Sequence, residues 1–371
     1  METTSRDPSP PRRILDCDVH CNPYMESPEG LNRYIPDRYR TAIDLHMAGQ
    51  PGHGYSNPGG QVQRTDCTYQ SPEDLERDHL DRYAITYAVL QPQPTTDFGL
   101  KHSIDLGNVF CRAGNDWLVE TYLDRSPRYL GSICVNPNDP AAAAAEIERL
   151  GDHPQMVQVV VPGEAAFLYG HRYYHPIYEA CERKQLVFAV HPGAEGSYRS
   201  STSVGRPSSY FEWHCSLPQT FMAHATSLVL EGVFEKFPGL KVLLTEGGYG
   251  WLAPLMWRMD KNFKALRATT PWLRETPSAY VRRHIRLTTQ PVEEPANPAH
   301  ALQMMEMVGA RETLCFSSDY PHWDFDDPFR AFPSRIPAEL MERILWGNAW
   351  DLYAAKLAPL ARHAETAEVE K

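Results

Sequence analysis

Short apolar runs alternate along most of the chain with longer stretches whose apolar residues recur at helical spacing. The runs at 14–19, 85–90, 130–135, 157–161, 186–190, 242–244, 285–288 and 314–317 are brief and rich in Val, Ile and Leu. That is the signature of parallel strands covered on both faces. Between them, 106–122, 141–150, 175–184, 219–237, 251–266, 299–308 and 337–352 read as helices. Ser71-Pro72-Glu73-Asp74 has the form of a helix start, with a serine cap, proline in the first position and an acidic first turn. Asp139-Pro140 opens another helix in the same way.

Eight strands alternating with helices predict an α/β fold of the (β/α)8 TIM barrel type rather than an open doubly wound sheet. No GxGxxG follows the first run and no GxxxxGK[ST] occurs, which demotes a nucleotide-binding sheet. Two polar stretches, 48–70 and 193–213, are too long for simple connections. They are expected as insertions in the loops after strands 1 and 5, where a barrel places its active site. A single domain over 14–358 is expected, flanked by a disordered tail at 1–13 and a solvated one at 359–371.

Composition narrows the function. The 371 residues hold 36 Lys and Arg against 47 Asp and Glu, a net charge of −11, with no basic block. A dominant nucleic-acid surface is thereby excluded. No stretch approaches the roughly 18 apolar residues of a membrane span, and the first 13 residues contain no apolar leader segment. The 8 cysteines are scattered without a CxxC pair. Reduced thiols in a cytoplasmic protein are the expectation, with a disulfide or zinc site at Cys17 and Cys21 as the minor alternative.

The chemistry gathers at strand ends. Alternation along Asp16-Cys17-Asp18-Val19-His20 places Asp16, Asp18 and His20 on one face. The fifth run closes on His191, followed by the chain-breaking Pro192-Gly193, and the eighth leads into Ser317-Ser318-Asp319-Tyr320-Pro321-His322-Trp323-Asp324. Asp18, His20, His191 and Asp319 together supply two carboxylates and two imidazoles, a ligand set for one divalent metal ion, Zn²⁺ first and Mn²⁺ as the alternative. Glu246, at the end of the sixth run, is a general base or further ligand if its register holds. His214, read as a loop residue, and His322 compete as catalytic histidines, whereas His224 at helical spacing suits packing. Arg199 and Arg206 suit a substrate carboxylate. His171 and His175 are expected as surface or capping residues, and Asn115 and Asn348 as structural hydrogen-bonders. Trp251, Trp257 and Trp272 suit an interface or the core.

The order DxDxH, VHPG, GVFEKFPGLKVLLTEGGYGW, SSDYPHWD and ILWGNAWDLY resembles the amidohydrolase-related (amidohydrolase 2) family, which includes the aminocarboxymuconate semialdehyde decarboxylase type. The resemblance spans about residues 14–353 and is most specific over 232–251 and SSDYPH. It implies a barrel with one divalent ion at its C-terminal mouth, hydrolases and non-oxidative decarboxylases of small organic acids as relatives, and a homodimer. The family's ligands fall on Asp18, His20, His191 and Asp319. The chain departs from the pattern in having DxH where HxH or ExH is common, and Glu246 where the decarboxylases place an acid/base histidine. The leading expectation is therefore a metal-dependent hydrolase in which activated water cleaves a C–N or C–O bond of a small carboxylate-bearing substrate, with Asp319 or Glu246 as base. A metal-dependent decarboxylase of an aromatic or muconate-type acid is the alternative. A non-catalytic binding barrel is a third reading.

Overall fold

A computed structural model describes residues 13–23, 30–40, 71–93, 103–193, 205 and 207–369, with side chains as far as 362. The expected tail at 1–13 falls almost wholly outside these residues, as do 48–70 and most of 193–206.

All eight expected strands form: β1 (Ile14–Cys21), β2 (Ile85–Pro92), β3 (Tyr129–Cys134), β4 (Met156–Pro162), β5 (Val187–His191), β6 (Val242–Leu244), β7 (Ile285–Thr288) and β8 (Leu314–Cys315). They pair in sequence order, each parallel to the next. The ring closes where the chain beyond β8 meets β1. Cys17 N–H donates to Phe316 O at 3.0 Å, Asp319 N–H to Asp18 O at 3.0 Å and His20 N–H to Tyr320 O at 2.7 Å. The protein is thus a (β/α)8 barrel.

The described helices are α1 (Pro72–Leu75), α2 (Ile104–Leu118), α3 (Pro140–Leu150), α4 (His175–Lys184), α5 (Tyr210–Leu230), α6 (Leu252–Leu266), α7 (Pro277–His284), α8 (Pro298–Val308) and α9 (Asn348–Val369), with shorter helical turns between some of them. Ser71 Oγ accepts the Asp74 N–H at 3.1 Å and Asp139 Oδ1 the Ala142 N–H at 3.1 Å, so both acidic or hydroxyl starts act as caps. Outward-facing strand residues such as Val159, Phe188 and Val242 pack against the helix layer. Inward-facing Leu15, Cys17, Val160, Ala189 and Cys315 form a second core. Helix α9 plugs the N-terminal end of that inner core, and Tyr353 donates to Gln158 Oε1 at 2.6 Å. The C-terminal mouth is left for chemistry.

Two helices differ from expectation. The expected helix at 219–237 starts too late, since α5 begins at Tyr210 and carries Pro218 inside. Ser209 Oγ caps it through the Glu212 N–H at 3.2 Å, and the left-handed Gly232 separates it from the turn Val233–Lys236. His214 accordingly sits on a helix rather than on a loop. Helix α9 runs on through 359–369, where a tail is expected. Asn115 and Asn348 hydrogen-bond to backbone as expected: Asn115 exchanges two bonds with Cys134, and Asn348 Nδ2 donates to Ala310 O and Leu314 O. Trp251 packs on the core, while Trp257 and Trp272 are exposed.

His224, buried in α5, uses both ring nitrogens. Tyr169 N–H donates to Nδ1 at 3.1 Å, and Nε2–H donates to Gly163 O at 2.7 Å. Only the neutral ring serves both partners, and burial lowers its pKa to about 4. The unfolded chain takes up that proton near pH 6.5. This stability is therefore complete above pH 6.5 and is lost as the pH falls towards 4. Urea unfolding should show a decline over that window with about 3 kcal/mol from this residue at most. His224→Gln should be less stable at pH 7 and show a flatter pH slope; an unchanged slope would contradict the assignment.

Candidate metal centre

The centre begins with an irregularity in β1. Asp16 pairs with Ala88 and Val19 with Leu90, so three steps along β1 match two along β2. The extra residue is a β-bulge, which breaks strict alternation. Cys17 faces the inner core, Val19 and Cys21 face the helix layer, and Asp18 turns to the barrel interior with His20. Asp16 is thus not on the face of Asp18 and His20, contrary to the two-residue period. Its carboxylate meets His79 and Ser318 instead. The same bulge puts Cys17 and Cys21 on opposite sides, and both are free thiols, which removes the disulfide or zinc-thiolate alternative.

Four strand ends converge at the C-terminal mouth. His20 Nε2 lies 2.9 Å from Asp319 Oδ1 and 3.6 Å from Asp18 Oδ1. His191 Nε2 lies 3.3 Å from His20 Nε2, 3.6 Å from Asp18 Oδ2 and 3.1 Å from Glu246 Oε2. Donor atoms of Asp18, His20, His191 and Glu246 all fall within 4.8 Å of one another, as do those of His20, Glu246, Asp319 and His322. His191 Nδ1 lies 2.7 Å from the Pro192 carbonyl, which takes its hydrogen and leaves Nε2 to face the cluster. Glu246 and Asp319 each adopt a left-handed backbone, φ 61° and 59°, an arrangement that side-chain-bearing residues pay for in strain and that concentrates at functional sites.

Electrostatics follow from burial. Asp18, Glu246 and Asp319 are fully buried, and among the described residues both oxygens of Asp18 and of Glu246 accept no hydrogen bond. Burial drives the Glu246 pKa well above its usual value, reinforced by Asp319, Asp324 and Asp18. Burial and the neighbouring His322 push His20 well below its normal value. For His191, burial opposes protonation, yet Asp18 beside it raises the pKa to about 9. Burial likewise opposes charge on His322, and Asp319 outweighs it. Buried carboxylates whose oxygens accept no hydrogen bond are costly unless positive charge compensates them. Two imidazole nitrogens and several carboxylate oxygens at this spacing fit a divalent ion; Asp18, His20, His191 and Glu246 form one group that could hold it, and His20, Glu246, Asp319 and His322 another.

The remaining candidates sort around this core. His322 Nδ1 pairs with Asp319 Oδ1 at 2.7 Å, and Gln93 Nε2 reaches His322 Nε2 at 3.1 Å. His214 Nε2 lies 3.0 Å from Asp324 Oδ2, and these two and Glu246 present donor atoms within 4.8 Å. Tyr210, Trp213 and Trp323 stand around His214, and Trp323 Nε1 donates to the Tyr210 hydroxyl at 3.0 Å. Arg199 and Arg206 lie outside the described residues. His171 caps a helical turn by accepting the Tyr173 N–H, and His224 is structural. Sequence reasoning left Asp324 and Gln290 unassigned. Gln290 Nε2 bridges Asp319 Oδ2 at 3.2 Å and Asp324 Oδ2 at 2.9 Å. The SSDYPHWD string holds a signal for Asp324, whereas nothing in Thr289-Gln290-Pro291 singles out the glutamine.

Comparison with known proteins follows this geometry. The chain is 26% identical over 269 residues to a gamma-resorcylate decarboxylase of Polaromonas sp., covering 66% of this chain and 76% of that protein. It is 28% identical over 163 residues to another from Rhodococcus jostii, covering 40% and 48%, so it spans about half of that relative. Among solved structures, a 5-carboxyvanillate decarboxylase from Sphingomonas paucimobilis superposes with a TM-score of 0.66 at 21% identity, covering 92% of this chain and 99% of the other. An amidohydrolase from Mycobacterium avium subsp. paratuberculosis gives a TM-score of 0.72 at 18% identity, covering 93% and 100%. The fold is shared throughout. The relatives are decarboxylases, which overturns the expectation of a hydrolase cleaving a C–N or C–O bond. The error has a physical origin: the same ligand set serves either reaction, and Glu246 in place of a histidine favoured water activation. No described helix is long and apolar enough to cross a membrane. The sequence profile of the amidohydrolase family matches residues 16–355, and the chain belongs to that family.

Proposed function

We propose that the protein is a divalent-metal-dependent, non-oxidative decarboxylase of a small hydroxylated aromatic acid. One observation carries the reading: Asp18, His20, His191 and Glu246 present donor atoms within 4.8 Å of one another, and Asp319 joins them through a second such group that shares His20 and Glu246. The relatives' activities supply its direction, since they are named for gamma-resorcylate, and a structural neighbour for 5-carboxyvanillate. A divalent cation held by these residues would supply positive charge to offset that of the substrate's carboxylate. The oxygen-rich ligand set, with Glu246 beside it, favours Mn²⁺ over the Zn²⁺ placed first from sequence. A Polaromonas dihydroxybenzoic acid decarboxylase of the same fold was solved with manganese and 2-nitroresorcinol.

The residues then have separate duties. Asp319, paired with His322, delivers a proton to the ring carbon that bears the carboxylate. The carbon–carbon bond breaks, its electrons restore the aromatic ring, and carbon dioxide leaves. Per turnover one proton enters the ring and one carboxylate is lost. Glu246, buried beside the cluster, is the second proton-bearing group in reach, standing where the family's decarboxylases carry a histidine. Tyr210, Trp213 and Trp323 offer faces for an aromatic ring, and the His214–Asp324 pair orients it at the mouth. Arg199 and Arg206 complete the proposal as partners for a substrate carboxylate.

Incubating the Mn²⁺-loaded protein with a panel of hydroxylated benzoic acids should release carbon dioxide and the matching phenol in equal amounts. Cleavage of ester or amide analogues without carbon dioxide release would contradict this reading. Asp319→Asn should lower turnover by about 10²–10⁴-fold, and His322→Gln should lower it less, in steady-state assays with metal content measured alongside. Wild-type turnover by metal-replete Asp319→Asn would remove Asp319 from the proton-delivery role.

A further inference from the structure

A second buried polar cluster lies behind the cation site, on the helix-facing side of β1, and none of its members belongs to the ligand set. Asp16, His79 and Ser318 are all fully buried. One carboxylate organises the group. Asp16 Oδ1 accepts the backbone N–H of Asp18 at 3.2 Å and that of Ser318 at 2.9 Å. Asp16 Oδ2 accepts the Ser318 hydroxyl at 2.5 Å and the His79 Nε2–H at 2.9 Å. The Ser318 hydroxyl oxygen in turn accepts the Tyr320 N–H at 3.2 Å. His79 stands on the turn after α1, and its ring stacks on Tyr320 with centroids 4.1 Å apart.

The bonded backbone groups are informative. Asp18 is itself a proposed ligand, and Ser318 and Tyr320 flank the other carboxylate ligand, Asp319. The bulge between Asp16 and Val19 frees backbone groups from the ladder to β2, and a side-chain acceptor at Asp16 occupies one of them. Alternation continued from the inward-facing Cys17 would send Asp18 and His20 outward together, to the side of Asp16. The bulge turns both inward, and Asp16 holds the bulge. Asp319 likewise needs a left-handed backbone to face the cluster, and its neighbours are tied to the same carboxylate through Ser318.

We propose that Asp16, Ser318 and His79 form a positioning network that sets the two ligand carboxylates, Asp18 and Asp319, in cation-binding geometry. Asp16 is the template, Ser318 transmits its position to the β8 end, and His79 fixes the carboxylate from the helix layer. The inference rests on the proposed cation site but adds residues that touch neither cation nor substrate. Supporting contacts of this kind are worth about 10–100-fold in metal affinity.

The test is calorimetric titration of the metal-stripped full chain with Mn²⁺, with thermal unfolding of the same metal-free samples. His79→Ala should remain folded and bind Mn²⁺ about 10–100-fold more weakly. His79→Gln, which keeps an N–H near the Nε2 position, should recover most of the affinity, and Ser318→Ala should weaken binding whereas Ser318→Thr retains it. The electron paramagnetic resonance spectrum of bound Mn²⁺ should broaden or shift in His79→Ala and return in His79→Gln. Wild-type affinity and spectrum in His79→Ala and Ser318→Ala, whatever their melting temperatures, would overturn the network's role. So would affinity lost equally in His79→Gln and His79→Ala. A wild-type chain that binds no divalent ion would instead defeat the underlying cation site, a distinguishable failure.

Discussion

Carboxylates buried at the mouth of the barrel without matching lysine or arginine partners are the constraint that organises this molecule. Asp18, Glu246 and Asp319 have no exposure, and Asp324 is close to them. Among the described residues, their charged neighbours in the cluster are histidines. Such a concentration of negative charge in a low-dielectric site is unfavourable by itself. A divalent ion reverses the sign of the interaction, because each carboxylate that repels its neighbours attracts the ion. The backbone supports that purpose: all three carboxylate-bearing strand ends depart from ordinary geometry, Glu246 and Asp319 by positive φ and Asp18 by the bulge beside it.

The barrel converts these local departures into a site. Parallel strands place their C-terminal ends around one rim, so residues 301 positions apart, Asp18 and Asp319, share a backbone hydrogen bond. The opposite end is sealed by α9, with Tyr353 and Gln158 hydrogen-bonded beneath the inner core. Chemistry therefore faces one side only. There Tyr210 and Trp213 of α5 and Trp323 of the segment after β8 surround His214, which pairs with Asp324 beside the acidic cluster.

Much of the barrel was legible in the sequence because eight Val-, Ile- and Leu-rich runs need burial on both faces, and only a few architectures provide that. The convergence of Asp18, His20, His191 and Asp319 at one rim was legible because each lies at or just beside the C-terminal end of such a run. Other features were not. The bulge in β1 depends on pairing with β2 and on Asp16 meeting Ser318, contacts that no local pattern encodes, so simple alternation misplaced Asp16. The start of α5 was missed because Pro218, which interrupts the helical pattern, lies in the third turn of the helix, and with it the helical setting of His214 was missed. Asp324 was in view within SSDYPHWD but gained meaning only beside His214 and Gln290. The reaction itself was misread because metal ligands report a cation, and a cation serves hydrolysis and decarboxylation alike.

The most direct test of the central claim is anomalous diffraction from crystals of the manganese-loaded protein at the manganese absorption edge. The account requires a strong anomalous peak enclosed by the side chains of Asp18, His20, His191 and Asp319. A peak seated elsewhere, or a fully loaded protein with none in that cage, would contradict it.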